Sequence, residues 1–403
     1  MHAMFRTMPR FSKRIRPASA PRRGIVAIFL IVALVALIGV GALAMNLTWL
    51  TSHQVQLRQA CEAAALAGAT QLFDPAPGAP ASVADPAAEA RVIAAKEQAR
   101  IYFTPNSRAT LQTTGASSDM IVGWCENPTS PHAAFTVWTG TGPVNSLTIR
   151  GMRRRAYNQA VTLWFGSFFG ASYAEPVAVA RATMDQRVYG FRPLEYVAVP
   201  MMPLVTPAAV SWPSGAPGSA GSLPDHYTID ERTRAVSAGP DGIAEITLQI
   251  PLAGGATPSG ADSGWLWLLG GTTNFVWLGA QVEVGLETVD LPNVGGQIAL
   301  GTDGAVSLPA AASPDATQAD RLLSAMMSIR GQKRIWPLGQ MDATAGQPAY
   351  RVTGFAAGSI VDCSRNANTL TIVVQGGTIQ TCTGLLRSGM ARNPWIGKLI
   401  LNE

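Results

Sequence analysis

Apolar and polar positions are unevenly distributed along the chain, and the most lopsided stretch comes first. No Lys, Arg, Asp or Glu occurs between Arg23 and Arg58, and Ile25–Ala44 (IVAIFLIVALVALIGVGALA) carries no polar side chain. About 20 apolar residues in a helix match the hydrocarbon thickness of a bilayer, so the pattern predicts a transmembrane helix. The helical pattern continues past it. Asn46–Phe73 contains no proline and is rich in strong helix formers. At about 1.5 Å per residue, residues 25–72 make one rod of ~70 Å, more than twice the ~30 Å apolar thickness.

Asp74–Pro86 (DPAPGAPASVADP) ends the rod, because proline inside a helix costs about 3 kcal/mol. A second helix is predicted over 87–102, where Ala87, Ala90, Ile93, Ala94, Glu97 and Ile101 recur near 3.6 spacing. Strands follow at 109–114, 120–125, 134–138 and 146–153, then a short aromatic helix at 157–169 and an alternating strand at 177–188. Residues 193–224 turn rich in Pro, Gly, Ser and Ala, with Ser214–Ser222 the most linker-like run. Beyond it, strands are predicted at 244–250, 275–289, 351–362, 370–375, 378–382 and 396–401, with one helix at 315–329. These shifts divide the chain into a basic tail (1–23), the rod (24–73), an α+β domain (74–192), a linker (193–224) and a β-rich domain (225–403).

Charge gives the span a direction. The tail holds Arg6, Arg10, Lys13, Arg14, Arg16, Arg22 and Arg23 and no acid, and basic residues beside a span stay cytoplasmic. Arg14, Arg16, Arg22 and Arg23, nearest the span, are the expected topology determinants. The C-terminal bulk is then periplasmic or extracellular, on a single pass through the inner membrane. The whole chain has a net charge of +5, but seven of its 30 bases lie in the tail, leaving 23 against 25 acids outside it, about −2. The basic balance therefore reflects topology, and no nucleic-acid partner is expected.

Ala42-Leu43-Ala44 has the small-x-small form of a signal-peptidase site. The apolar run Ile25–Ala44 is longer than the roughly 7–15 residues of a signal core, so the span is expected to stay as an anchor. Arg22-Arg23-Gly24 admits a twin-arginine signal or a pilin leader cut after Gly24. A pilin leader would place Glu at the fifth position beyond the cut, where this chain has Phe29.

Ala60, Ala63, Ala64, Ala67 and Gly68 form a small-residue surface on the rod. Such a surface allows close helix packing, against this protein's own domain or against another molecule. Cys363 and Cys382 are the candidate disulfide, each beside a predicted strand. In a three-strand meander, first and third strands lie about 9.6 Å apart, beyond the ~7 Å reach of a bridge, unless the strand ends converge. Cys61 and Cys125 are expected as buried thiols.

Chemistry-bearing motifs are missing. His2, His53, His132 and His226 stand in separate contexts, and His-Glu-x-x-His, Cys-x-x-Cys, Gly-x-Ser-x-Gly and phosphate-binding glycine loops do not occur. No cofactor, metal or catalytic residue is predicted, and any ATP-driven work falls to a partner. Asp225-His226 with a distant serine is a weak basis for a triad. Asp230-Glu231 and Asp241 read as turn residues. Trp265, Trp267 and Trp277 read as core, with a sugar-stacking platform as the alternative.

Arg22-Arg23-Gly24-Ile25-Val26-Ala27, followed beyond the span by Gln59-Ala60-Cys61-Glu62-Ala63-Ala64-Ala65-Leu66-Ala67-Gly68-Ala69, resembles the N-terminal module of TadG-like proteins of the Tad/Flp pilus assembly system. Cys61 and Glu62 stand where Ala and Asp are usual in that family. Weaker similarity covers Ala87–Tyr102, Leu163–Gly170 with Val177–Ala182, Ser263–Leu266, and Ile335–Gln375 with the turn Gly331–Leu338 (GQKRIWPL). The resemblance implies a non-enzymatic, membrane-anchored pilus component whose partners are the membrane and an ATPase, platform, secretin and pilins. The Asp-x-Ser-x-Ser metal site of some relatives does not occur in this sequence. The expected fold is α+β: a transmembrane helix continuing outside the membrane, a domain pilin-like in outline, and a β-rich C-terminal domain. The alternative function is an anchored adhesin or sensor for a sugar or surface polymer.

Overall fold

The computed structural model describes residues 23–74, 86–107, 111, 119–130, 134–157, 159–213, 223–253, 265–266, 275–291, 294–309, 313–342 and 349–402. The chain begins with α1 (Arg23–Thr70) and α2 (Pro86–Ser107). Seven strands follow: β1 (Met120–Cys125), β2 (Phe135–Val137), β3 (Ser146–Met152), β4 (Val161–Thr162), β5 (Tyr173–Ala174), β6 (Val177–Asp185) and β7 (Val188–Phe191). Next come β8 (Leu204–Pro207), β9 (Tyr227–Ile229), β10 (Val236–Ala238), β11 (Glu245–Pro251), β12 (Trp265–Leu266) and α3 (Phe275–Val284). The last part holds β13 (Ile298–Ala299), β14 (Val306–Pro309), α4 (Ala316–Ser328), β15 (Lys333–Asp342), β16 (Ala349–Arg365), β17 (Thr369–Gly376), β18 (Ile379–Gln380), β19 (Gly384–Leu386) and β20 (Ile396–Asn402). The architecture is α+β, with one helix among the described residues long and apolar enough to cross a membrane.

α1 is a single uninterrupted helix of 48 residues. From Val26 to Ile38 every residue is exposed, Phe29 and Leu37 at 71% and 72%. Its second half is buried in the protein's own first core. There Leu57, Cys61, Ala65, Ala69 and Leu72 meet Val92, Ala95, Ala99 and Phe103 of α2 and Leu147, Ile149, Ala178, Ala180 and Ala182 of the sheet.

That sheet has the order β18-β20-β6-β3-β1-β2. β6 alternates, turning Ala178, Ala180 and Ala182 toward the helices and leaving Val177 and Val179 outside. The period of two sorts one face to the core. Small residues on that face let α1 lie close. β20 comes from the far end of the sequence and pairs antiparallel with β6, Lys398 opposite Asp185 through Asn402 opposite Arg181.

The second large sheet runs β11-β17-β16-β15-β8-β12. β16 carries β15 along one edge, while its other edge is shared by β17 over Gly358–Arg365 and β14 over Ala349–Val352. α3 and α4 cover one face, burying Leu278, Val282, Leu322 and Met326 with Trp212 and Trp336. Both buried indoles are satisfied, Trp212 donating to the Ala357 carbonyl at 2.8 Å and Trp336 to that of Gly358 at 3.2 Å. A third core joins this sheet to the small sheet β13-β7-β19 through Phe191, Ile335 and Phe355.

Several elements differ from the sequence reading. The strand predicted at 275–289 is α3 and a following turn: Leu278 and Val282, four apart, are buried on one helix face, and Gly285 at φ +103° ends it by donating to the Gln281 carbonyl. The helix predicted at 157–169 is instead the β4 strand between two short 3-10 turns, because Val161 and Thr162 pair with Ala174 and Tyr173 of β5; Gly170, at φ +77°, caps the second turn. The three-strand meander does not form. β17 gives its second edge to β11 along seven residue pairs, so β18 pairs with β20 in the other sheet. Strand 109–114 lies outside the described residues except for Leu111. β8 lies within 193–224 and pairs with β15 and β12.

Candidate functional site: the rod and its packing face

The small residues of the rod divide between two surroundings. Ala60, Ala64 and Gly68 are buried, whereas Ala63 and Ala67 are half-buried. Gly68 lies so close to α2 that a methyl group there would sit 2.7 Å from the Ala95 carbonyl oxygen and 3.2 Å from the Ala99 methyl, and would collide with Leu147. From the sheet side, Gly151 of β3 presses on the rod; a methyl there would stand 2.6 Å from Cys61 Sγ and 3.1 Å from Leu57 Cδ1. Burying a leucine such as Leu57 contributes roughly 1.5–3 kcal/mol, so the backbone contacts made possible by Gly68 and Gly151 hold the rod firmly.

Polar ties fix the rod along its length. Arg153, 7% exposed, follows β3 and bridges His53 Nδ1 on α1 to the Ser107 carbonyl at the end of α2, both at 2.9 Å. Arg91 of α2 faces Asp74 where the chain leaves the rod, at 3.5 Å. Lower down, the Phe165 amide donates to Asn46 Oδ1 at 3.3 Å, and the Trp49 ring meets His53 at 4.5 Å and Trp164 at 5.9 Å, both edge-on. The hydroxyls of Thr48 and Thr51 bond back to the carbonyls of Ala44 and Leu47 on the helix, which satisfies them beside the apolar half.

Arg14, Arg16 and Arg22 lie outside the described residues, and Arg23 opens α1 with its side chain outside them. Cys363 and Cys382 are both free: Cys363 is buried against Met326 Sδ at 3.8 Å and Cys382 is exposed. Their separation follows from β18 joining the other sheet. Burial pushes the thiols of Cys61 and Cys363 up to about 12. The side chains of Trp265 and Trp277, and Trp267 entirely, lie outside the described residues, as do His2 and His132.

Asp225 accepts from the amides of Asp241 and Gly242, and Asp230 from those of Arg232 and Thr233. These carboxylates organise turns. Among the described residues, no three metal-ligating side chains come together. The sequence reading missed Asn46, Trp49, Arg153 and Trp164. Trp49, just beyond the apolar run, was the available signal.

Residues 24–71 match the family model described as "Putative Flp pilus-assembly TadE/G-like". The rod is similar to the TadE/G-like module. The matched residues coincide with α1 almost to its ends. No curated protein and no solved structure gives a match. The match covers 48 of the 403 residues.

Proposed function

We propose that this protein is a non-enzymatic, inner-membrane component of Flp pilus assembly that works by packing. The observation that carries the reading is the division of one helix. Its apolar half is exposed at every position from Val26 to Ile38, and its other half is locked into the domain that follows by Gly68, Gly151 and Arg153. A rigid joint of this kind transmits position from membrane to domain. Arg14, Arg16, Arg22 and Arg23 hold the N-terminus in the cytoplasm, and the domain faces the periplasm or the cell exterior.

Ala63 and Ala67, half-buried on the rod, are the residues of the small surface left for a second helix. The partners proposed are the pilus ATPase, platform, secretin and pilins. Purification from membranes in mild detergent should bring down at least one of the ATPase, platform and secretin. Reproducible absence of all three contradicts the reading. Alkaline phosphatase fused after Glu403 should be active, and an inactive fusion would reverse the orientation.

A further inference from the structure

The hairpin β4–β5 carries its tip, Leu163–Ser172 (LWFGSFFGAS), back to the rod beside the end of the apolar run. Trp164 is 71% exposed there, although its ring touches Trp49. With Ala44, Met45, Thr48 and Ser52, the two indoles line an open, largely apolar recess of about 530 Å³. A large exposed aromatic beside exposed Met45 and Leu47 (64% and 55%) is costly in water.

Its height above the membrane is set by the helix. Asn46, which accepts from the Phe165 amide, is two positions past Ala44, or about 3 Å along the axis. Trp49 is five positions past it, about 7.5 Å. The headgroup zone adds roughly 5–8 Å on each side of the hydrocarbon. Trp49, Trp164 and the Phe165 backbone therefore fall within that zone, where indoles are enriched because one end of the ring is apolar and the other polar.

We propose that the 163–172 tip is a second membrane contact, with Trp164 and Trp49 seated together in the phospholipid interface of the leaflet where α1 emerges. The occupant of the recess is lipid. Its place next to the bare apolar half of α1 decides for lipid over a protein partner: Leu43, Ala44, Met45 and Leu47 are all exposed, and Ala44 and Met45 line the recess itself. Two contacts, span and tip, fix the tilt of the domain, which one helix passing through a fluid bilayer does not.

The proposal rests on α1 being a membrane span, and its test separates the two. In a Cys382→Ser background, the full chain in nanodiscs is labelled with an environment-sensitive fluorophore at Val35→Cys, Ser167→Cys or Gln71→Cys, and quenchers are placed at the headgroup or deep in the acyl chain. Val35→Cys should be quenched by the deep probe, Ser167→Cys by the headgroup probe, and Gln71→Cys by neither. Adding Trp164→Ser should remove the quenching at position 167 while leaving that at 35 unchanged. A label at 167 that escapes quenching while 35 is quenched overturns the tip contact alone, as does a blue shift at 167 that grows with protein concentration and marks a second copy. An unquenched label at 35 overturns the span itself and the tip contact with it.

Discussion

Arg153 lies 2.9 Å from His53 Nδ1, joining the end of β3 to the rod 100 residues earlier in sequence. Arginine can only donate, so Nδ1 accepts and the ring proton sits on Nε2. The same guanidinium holds the Ser107 carbonyl at the end of α2. One buried side chain thus ties together the sheet, the rod and the second helix. Replacing it by Met keeps much of the apolar stem but leaves the Ser107 carbonyl without this donor. Arg153→Met should lower unfolding free energy by about 2–3 kcal/mol, measured by urea denaturation of the solubilised chain.

Position along the small-residue face decides what leucine does there. At Ala60 or Ala64 the extra atoms enter a closed core, and overpacking of this kind costs about 1–3 kcal/mol. Ala63→Leu and Ala67→Leu should leave the thermal midpoint near that of the parent while reducing co-purification of pilus components. Equal loss of stability at all four positions would place Ala63 and Ala67 in the core as well.

The four cysteines should separate by reactivity. With a pKa of about 12, Cys61 and Cys363 hold a thiolate fraction of only ~10⁻⁴ at pH 8, and Cys125 is buried too. A maleimide added to the folded protein should modify Cys382 alone, with the other three reacting after denaturation. Mass spectrometry that finds Cys363 bridged to Cys382 would contradict the free thiols.

Glu245 introduces a pH dependence. Burial raises its carboxyl above the usual 4.5, outweighing the His226 and Tyr227 amides that donate to it and the nearby His226 charge, while Asp225 raises it further. An acid whose folded value is raised favours the fold when protonated, so its contribution is complete below the ordinary carboxylate value and is lost as pH rises through the folded value. Glu245→Gln keeps the acceptor oxygen and removes the charge. The variant should melt higher than the parent at pH 8, with the gain shrinking toward pH 4.

How far the sequence could be read depended on whether the deciding contact was local. The rod was legible because absence of charge, helix propensity and the proline-rich stop at 74–86 all lie within it or directly after it. So were β1, β3 and β17, whose apolar runs are bounded by turns. The 275–284 segment was misread because Phe, Val and Trp favour strands, while the surface that makes a helix of it belongs to α4, a separate later segment. That Ala60 and Ala64 are buried in one core with Ala95 and Ala99 of α2, whereas Ala63 and Ala67 remain half open, depends on α2 docking and could not be read from alanine content. The same holds for β20, which pairs with β6 across the whole intervening second half of the chain.

Piliation in cells tests whether the joined rod and domain serve pilus assembly. A strain lacking this chain should lose surface Flp pili. The full chain should restore them, and a secreted version retaining the ectodomain, with residues 24–44 replaced by a cleaved signal peptide, should not. Normal piliation without the chain, or full rescue by the anchorless version, would contradict a membrane-anchored role in assembly.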